Sequence, residues 1–136
     1  RDSSTSRGLG DVYKRQFMRQ ALRGEPIDVW GDGSVVRDYI YIDDVISAML
    51  AAATHEGPSR VFNVGRGEGR SLAEIVEAIE AVSGLVIPAR YGAARPIDVP
   101  RSILDITLAR QELGWQPQHD FLSGMQLTWD WIRSLP

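Results

Sequence analysis

Three observations predict an α/β fold for this 136-residue chain. Short β-rich runs alternate with segments of helical periodicity. A capping box, Ser71-Leu-Ala-Glu74, introduces the most regular of the helical segments. Glycine stands at the predicted ends of three helices, at Gly24, Gly84 and Gly114.

Each element follows from local chemistry. Phe17 to Arg23 reads as the end of a helix stopped by Gly24, and Ile27 to Trp30 as a short strand. Gly31-Asp-Gly33 is a turn. Asp38 to Ile42 is β-rich, and Asp43 or Asp44 is expected to cap a helix reaching about Thr54. Val45, Ala48, Met49 and Ala52 share one face of that helix. Val61 to Val64 reads as a buried strand ending at Gly65. Leu72, Ile75, Val76, Ile79 and Val82 follow the capping box at helical spacing. Val86 to Tyr91 is a further strand, Asp105 opens a helix, and Asp120 opens the last one. Leu122, Met125, Trp129 and Ile132 form its apolar stripe, and Trp115, Trp129 and Trp131 are expected to pack the C-terminal helices.

Composition narrows the classes of function. The formal charge is −3. Beyond residue 16 it is −5, from eleven basic and sixteen acidic side chains. An acidic balance without a basic run argues against nucleic acid and against an anionic membrane surface as partners. No apolar stretch approaches 18 residues. With no cysteine there is no disulfide or thiolate chemistry, which is compatible with the expected cytoplasmic location. His55 and His119 lie apart from each other and from any carboxylate cluster with ligand spacing, so no metal site is expected.

Two arginine motifs carry the chemistry. Arg37 lies in Gly33-Ser-Val-Val-Arg-Asp-Tyr-Ile-Tyr-Ile-Asp-Asp44, and Arg95 in Arg95-Pro-Ile-Asp-Val99. A guanidinium offers a fixed fork of donors and a permanent charge, which suits phosphate oxygens. Asp98 could accept hydrogen bonds from sugar hydroxyls. These motifs, together with Val29-Trp-Gly-Asp-Gly33, Val61-Phe-Asn-Val-Gly65 and Leu113-Gly-Trp-Gln-Pro117, resemble in text and order the C-terminal part of nucleotide-sugar epimerases and dehydratases. These form the extended short-chain dehydrogenase/reductase family, and the likeness is nearest its UDP-glucose 4-epimerase group. It spans roughly Phe17 to Trp131. It implies the last elements of a Rossmann fold plus a small substrate-binding domain, truncated at the N-terminus.

The resemblance also implies roles. Arg37 and Arg95 would bind the diphosphate of a UDP-sugar, and Asp98 its ribose. Ile97 stands where the family usually has glycine, which bears on the loop's conformation. Val29 and Trp30 match the segment against the base, with ordinary strand packing as the alternative, and Tyr39 would lie near the pocket. Ser102 matches a position beside the sugar, where a small residue leaves room for an N-acetyl group. For Arg37 the structural alternative is pairing with Asp38, Asp43 or Asp44; for Arg95, a surface pair with Asp98. Gly65-Arg-Gly-Glu-Gly69 has the spacing G-x-G-x-G rather than the dinucleotide fingerprint G-x-G-x-x-G. It is therefore read as a turn into the Ser71 helix.

The family's chemistry runs on a Tyr-x-x-x-Lys pair and NAD. The sole lysine is Lys14, and residue 10 is Gly10, so this chain holds no such dyad and no catalytic residue is assigned. NAD would be bound by the missing N-terminal part. The parent is expected to be an NAD-dependent UDP-sugar 4-epimerase, which oxidises the sugar at C4, lets it rotate and returns hydride to the other face. It would act on UDP-glucose, UDP-galactose or their N-acetyl forms, and the isolated chain is expected to be inactive. Homodimers are common in that family. The alternatives are a dehydratase, a UDP-glucuronate decarboxylase, a non-catalytic sugar-nucleotide-binding module, or a structural domain. Residues 1–16 stand outside the pattern. Asp11-Val-Tyr-Lys-Arg-Gln16 resembles a translation of GATGTGTATAAGAGACAG, a transposase end used in sequencing adaptors. Residues 1–16 are thus expected to be adaptor-derived, and residues 17–136 to be the native nucleotide-sugar-binding portion.

Overall fold

The computed structural model describes residues 9–96 and 99–136, with side chains described from Lys14 onward. Helix α1 (Leu9–Leu22) ends in a turn at Gly24, whose φ of +66° suits glycine. Strand β1 (Ile27–Val29) follows, then β2 (Val36–Asp38) and helix α2 (Ile42–Ala53). Strand β3 (Gly69–Ser71) leads directly into α3 (Leu72–Ser83). Strands β4 (Ala89–Tyr91) and β5 (Arg101–Ser102) precede α4 (Thr107–Leu113) and α5 (Phe121–Ser134). Of the segment expected to be adaptor-derived, residues 1–8 lie outside the described residues, and residues 9–16 are helical in α1.

The described strands form two small sheets. In one, β1 pairs with β4 in parallel. In the other, β2 is central, antiparallel to β3 and parallel to β5. The main core lies under α1, α3 and α5. Phe17, Met18, Ile27, Ile75, Ile79 and Met125 are each 1% exposed or less. Burying a side chain of this kind contributes about 1.5–3 kcal/mol. A smaller cluster of Ala48, Ile106, Ala109 and Trp115 joins α2 to α4.

Helix α3 forms as its sequence demands. The Ser71 hydroxyl accepts from the Glu74 N–H, and the Glu74 carboxylate accepts from the Ser71 N–H. Gly84 closes it in the left-handed conformation at φ +69°. Asp120 caps α5 by accepting from the Ser123 N–H, a contact that with the Ser123 hydroxyl holds its carboxyl below the usual aspartate range.

Six expectations need correction. Strand β4 begins only at Ala89, not at Val86, which is 93% exposed, because β1 offers pairing partners to residues 89–91 alone. The β-rich run is extended only over Val36–Asp38, earlier than expected, because pairing with β3 and β5 decides which residues join the ladder. The N-cap of α2 is Tyr41, without a side-chain cap; Asp43 and Asp44 sit inside the first turn. Residues 61–64 form no strand, and Val61 is 81% exposed, since no described segment offers a ladder edge to them. Met49 and Leu122 face outward at 65% and 54% exposure, whereas Phe121 packs against the core. Trp131 is half exposed beside the Arg15 guanidinium; only Trp115 and Trp129 are buried.

Candidate ligand-binding site

Strand β2 places the first arginine. Its parallel register with β5 sets Arg37 opposite Ser102. The Arg37 Nη1 donates to the carbonyls of Val36 and Val99, at 2.8 and 2.7 Å. The second bond ties the guanidinium to Val99, four residues beyond Arg95 in the chain. Arg37, Ser102 and Tyr39 share the lining of one cavity of about 830 Å³, with Leu104, Thr128 and Trp131. Lys14 and Arg15 of α1 also reach its lining. Tyr39 itself is 7% exposed and belongs mainly to the core.

The other predicted residues gather at a second place. The Arg95 guanidinium lies 5.0 Å from the centre of the Trp30 ring, an arrangement favoured by the ring's quadrupole. Trp30 is 45% exposed. The Val29 side chain is core, and its carbonyl accepts from the Gly92 N–H at 2.9 Å. Asp98 and Ile97 lie outside the described residues. The structure thus joins Arg37, Tyr39 and Ser102 at one wall and Val29, Trp30 and Arg95 at another. Beside the first wall, the Val36 N–H also donates to the Pro100 carbonyl at 2.9 Å.

Two of the three aspartates proposed as Arg37 partners, Asp38 and Asp44, are engaged elsewhere. The Asp38 carboxylate accepts from the N–H groups of Arg66, at 2.8 Å, and Gly67, at 2.9 Å. It also takes a longer bond, 3.4 Å, from the Leu104 N–H. Asp44, 2% exposed, accepts from the N–H groups of Gln118 and His119 and stands 3.0 Å from the His119 Nδ1. Burial pushes the Asp44 carboxyl up, but the Gln118 and His119 hydrogen bonds together outweigh it and hold the carboxyl below the usual aspartate range. The Tyr41 ring lies 4.8 Å from the His119 ring; burial, and then the Asp43 charge, raise its phenol above the ordinary value. His55, also read as isolated, meets Glu112 at 3.2 Å. Sequence reasoning missed both histidine–carboxylate pairs because their partners are remote in the chain. Among the described residues, no group of three or more His, Asp or Glu could hold a metal ion.

A family model for the NAD dependent epimerase/dehydratase family matches residues 11–65. A UDP-glucose 4-epimerase from Azospirillum brasilense is 38% identical over 85% of this chain and 37% of its own. The chain belongs to this family. It is also similar to a solved UDP-glucose 4-epimerase from Thermotoga maritima with UDP-glucose, at 38% identity and TM-score 0.82. That match covers 87% of this chain and 38% of the other. A solved UDP-glucuronic acid 4-epimerase from Bacillus cereus, in complex with UDP-glucuronic acid and NAD, is 27% identical with TM-score 0.85. It is covered to 41%, and this chain to 93%. The chain therefore spans about two fifths of the length of these relatives. No described helix is long and apolar enough to cross a membrane.

The family's cofactor can be tested against the glycine-rich turn. A dinucleotide pyrophosphate needs free backbone N–H groups at the opening of a helix. Here the N–H groups of Arg66 and Gly67 already donate to Asp38. A Cβ at Gly65 would stand 2.7 Å from the Asp38 Oδ2, and one at Gly67 would touch Ile106. Gly65 makes room for the Asp38 carboxylate, which already takes the N–H groups of Arg66 and Gly67, so this turn does not fit NAD.

Proposed function

We propose that this chain is the substrate-holding portion of an NAD-dependent UDP-sugar 4-epimerase, in which Arg37 clamps the nucleotide diphosphate. One observation carries the reading: Arg37 and Ser102 face each other in the wall of a single cavity of about 830 Å³. That volume falls within the roughly 300–1,000 Å³ typical of small-molecule sites. A permanent cation and a small hydroxyl-bearing residue on one wall suit a diphosphate beside a sugar. UDP-glucose and UDP-glucuronic acid, bound by the solved relatives, are ligands of that chemistry.

Arg95 on Trp30 forms a second contact in this reading, with the uracil near the Trp30 ring, the phosphates between the two arginines and the ribose at Asp98. Ser102, exposed and small, leaves room for an N-acetyl substituent. NAD is assigned to a part of the parent that this chain does not include, and the parent to a cytoplasmic homodimer. Residues 1–16 are assigned to adaptor DNA on the resemblance of Asp11 to Gln16 to a translated transposase end; α1 runs through residue 16 without a break. A clamp on the remote nucleotide holds the reacting carbon in place while the sugar turns.

The test is calorimetric titration of the chain with UDP and UDP-glucose. Arg37→Ala should weaken UDP about tenfold or more, since charge-assisted hydrogen bonds contribute about 1.5–3 kcal/mol. An unchanged affinity would exclude the clamp.

A further inference from the structure

We propose that Asp38 is a positioning residue that holds Ser102 and Leu104 at a set distance from Arg37, and so gives the diphosphate site its width. The inference rests on the reading of Arg37 as the phosphate clamp. It begins from a limit of the sheet. The pairing between β2 and β5 covers only Val36 with Arg101 and Arg37 with Ser102. Two residue pairs hold a wall of the cavity weakly. Beyond Ser102 the ladder stops, and the Asp38 carboxylate takes over by accepting from the Leu104 N–H. Leu104 lines the same cavity as Arg37 and Ser102.

The carboxylate is itself held in one orientation. Its Oδ1 accepts from the Arg66 N–H, and its Oδ2 from the Gly67 N–H. Gly65 is buried, and its missing side chain is what lets the carboxylate sit there, since a Cβ would come within 2.7 Å of Oδ2 and 3.0 Å of the Leu104 Cδ1. The glycine-rich turn therefore serves as the seat of Asp38. The two bonds to the turn, 2.8 and 2.9 Å, have the length of charge-assisted hydrogen bonds and fix the carboxylate, which from there reaches the Leu104 N–H at 3.4 Å and so joins β2, the 65–67 turn and the segment beyond β5. Its neighbour Arg37 is anchored on the other side by the Val99 carbonyl. A guanidinium fork binds phosphate oxygens only when both are held in register, and Asp38 acts on that register without touching ligand.

The experiment is a four-protein cycle: the full chain, Asp38→Asn, Arg37→Lys and the double variant, each titrated with UDP by NMR chemical-shift changes. Asparagine keeps the size and loses one acceptor. The expected result is a loss of about tenfold for Asp38→Asn in the wild-type background and less than about twofold in the Arg37→Lys background, where the fork is already gone. An equal loss in both backgrounds assigns Asp38 a merely structural role and overturns the inference, as does a wild-type affinity in Asp38→Asn. If Asp38→Asn does not fold, Gly65→Ala replaces it. That change crowds Oδ2 while keeping every hydrogen-bonding group, and unchanged UDP affinity would again overturn the inference. If the wild-type chain binds no UDP, the clamp itself falls and the inference with it. If wild type binds UDP and Asp38→Asn binds it equally well, the inference alone falls.

Discussion

Helices α2 and α3 are each twelve residues long, and both carry an apolar stripe in sequence. Their fates differ. Helix α3 buries Leu72, Ile75, Val76, Ala78 and Ile79 between α1 and α5. Helix α2 buries Asp44 and Ala48, while Ile42, Ile46, Met49 and Leu50 remain between 47% and 67% exposed. The first helix is held by apolar packing and by its own caps. The second is held at its start by a buried carboxylate gripping residues 118 and 119, and by the indole N–H of Trp115 donating to the Ser47 hydroxyl at 2.8 Å. Periodicity shows that a helix has an apolar face; it does not show that anything covers it.

The comparison predicts a ranked series of substitutions, each read by urea unfolding of the chain. Ile79→Ala should cost most, about 2–5 kcal/mol, because the side chain is fully buried and its neighbours collapse only in part. A loss below about 1 kcal/mol would mean that α3 is no better packed than α2.

Asp44→Asn comes next, at about 1–3 kcal/mol, since a buried acceptor that serves two backbone N–H groups and a histidine becomes half donor. The pH dependence sharpens this prediction. The Asp44 carboxyl is depressed in the folded state, so its contribution is fully present above the unfolded aspartate pKa. It is lost as the pH falls through the lower, folded value. Wild type should therefore lose stability on acidification below about pH 4, and Asp44→Asn should lose less over the same range. Equal acid slopes would show that Asp44 does not anchor α2.

Ser71→Ala should cost about 1 kcal/mol, the usual effect of losing one half of a capping box. A matching loss on replacing Asp43, which lies in the first turn of α2 and is exposed, would erase the contrast between the two helix starts. Met49→Gln should have the smallest effect, within about 0.5 kcal/mol, as for other exposed positions. A cost of 2 kcal/mol there would mean that the outer face of α2 is covered in solution.

The legibility of the chain followed the range of the forces involved. The capping box at Ser71, the stops at Gly84 and Gly114 and the cap at Asp120 all depend on residues within five positions, and all appear in the structure. Strand existence was legible at Ile27–Val29, where β4 supplies a partner, and misleading at residues 61–64, where the described residues supply none. At the site, the motif Gly33 to Asp44 marked Arg37, and the guanidinium's fixed fork and permanent charge gave the motif its chemical sense. Asp38 stands beside it in sequence and entered only as one of three alternative ion partners. Its real partners are 28, 29 and 66 residues away.

Sequence by itself determined the helices, most of their ends and the α/β class, because propensity and capping act locally. Only the tertiary structure decided which apolar faces are covered and which carbonyl holds Arg37. It also decided that one carboxylate, at Asp38, meets backbone N–H groups of two segments remote in the chain. Those outcomes depend on the pairing of strands and loops far apart in the chain, where a hydrogen bond forms only if the whole fold brings its two ends within about 3 Å.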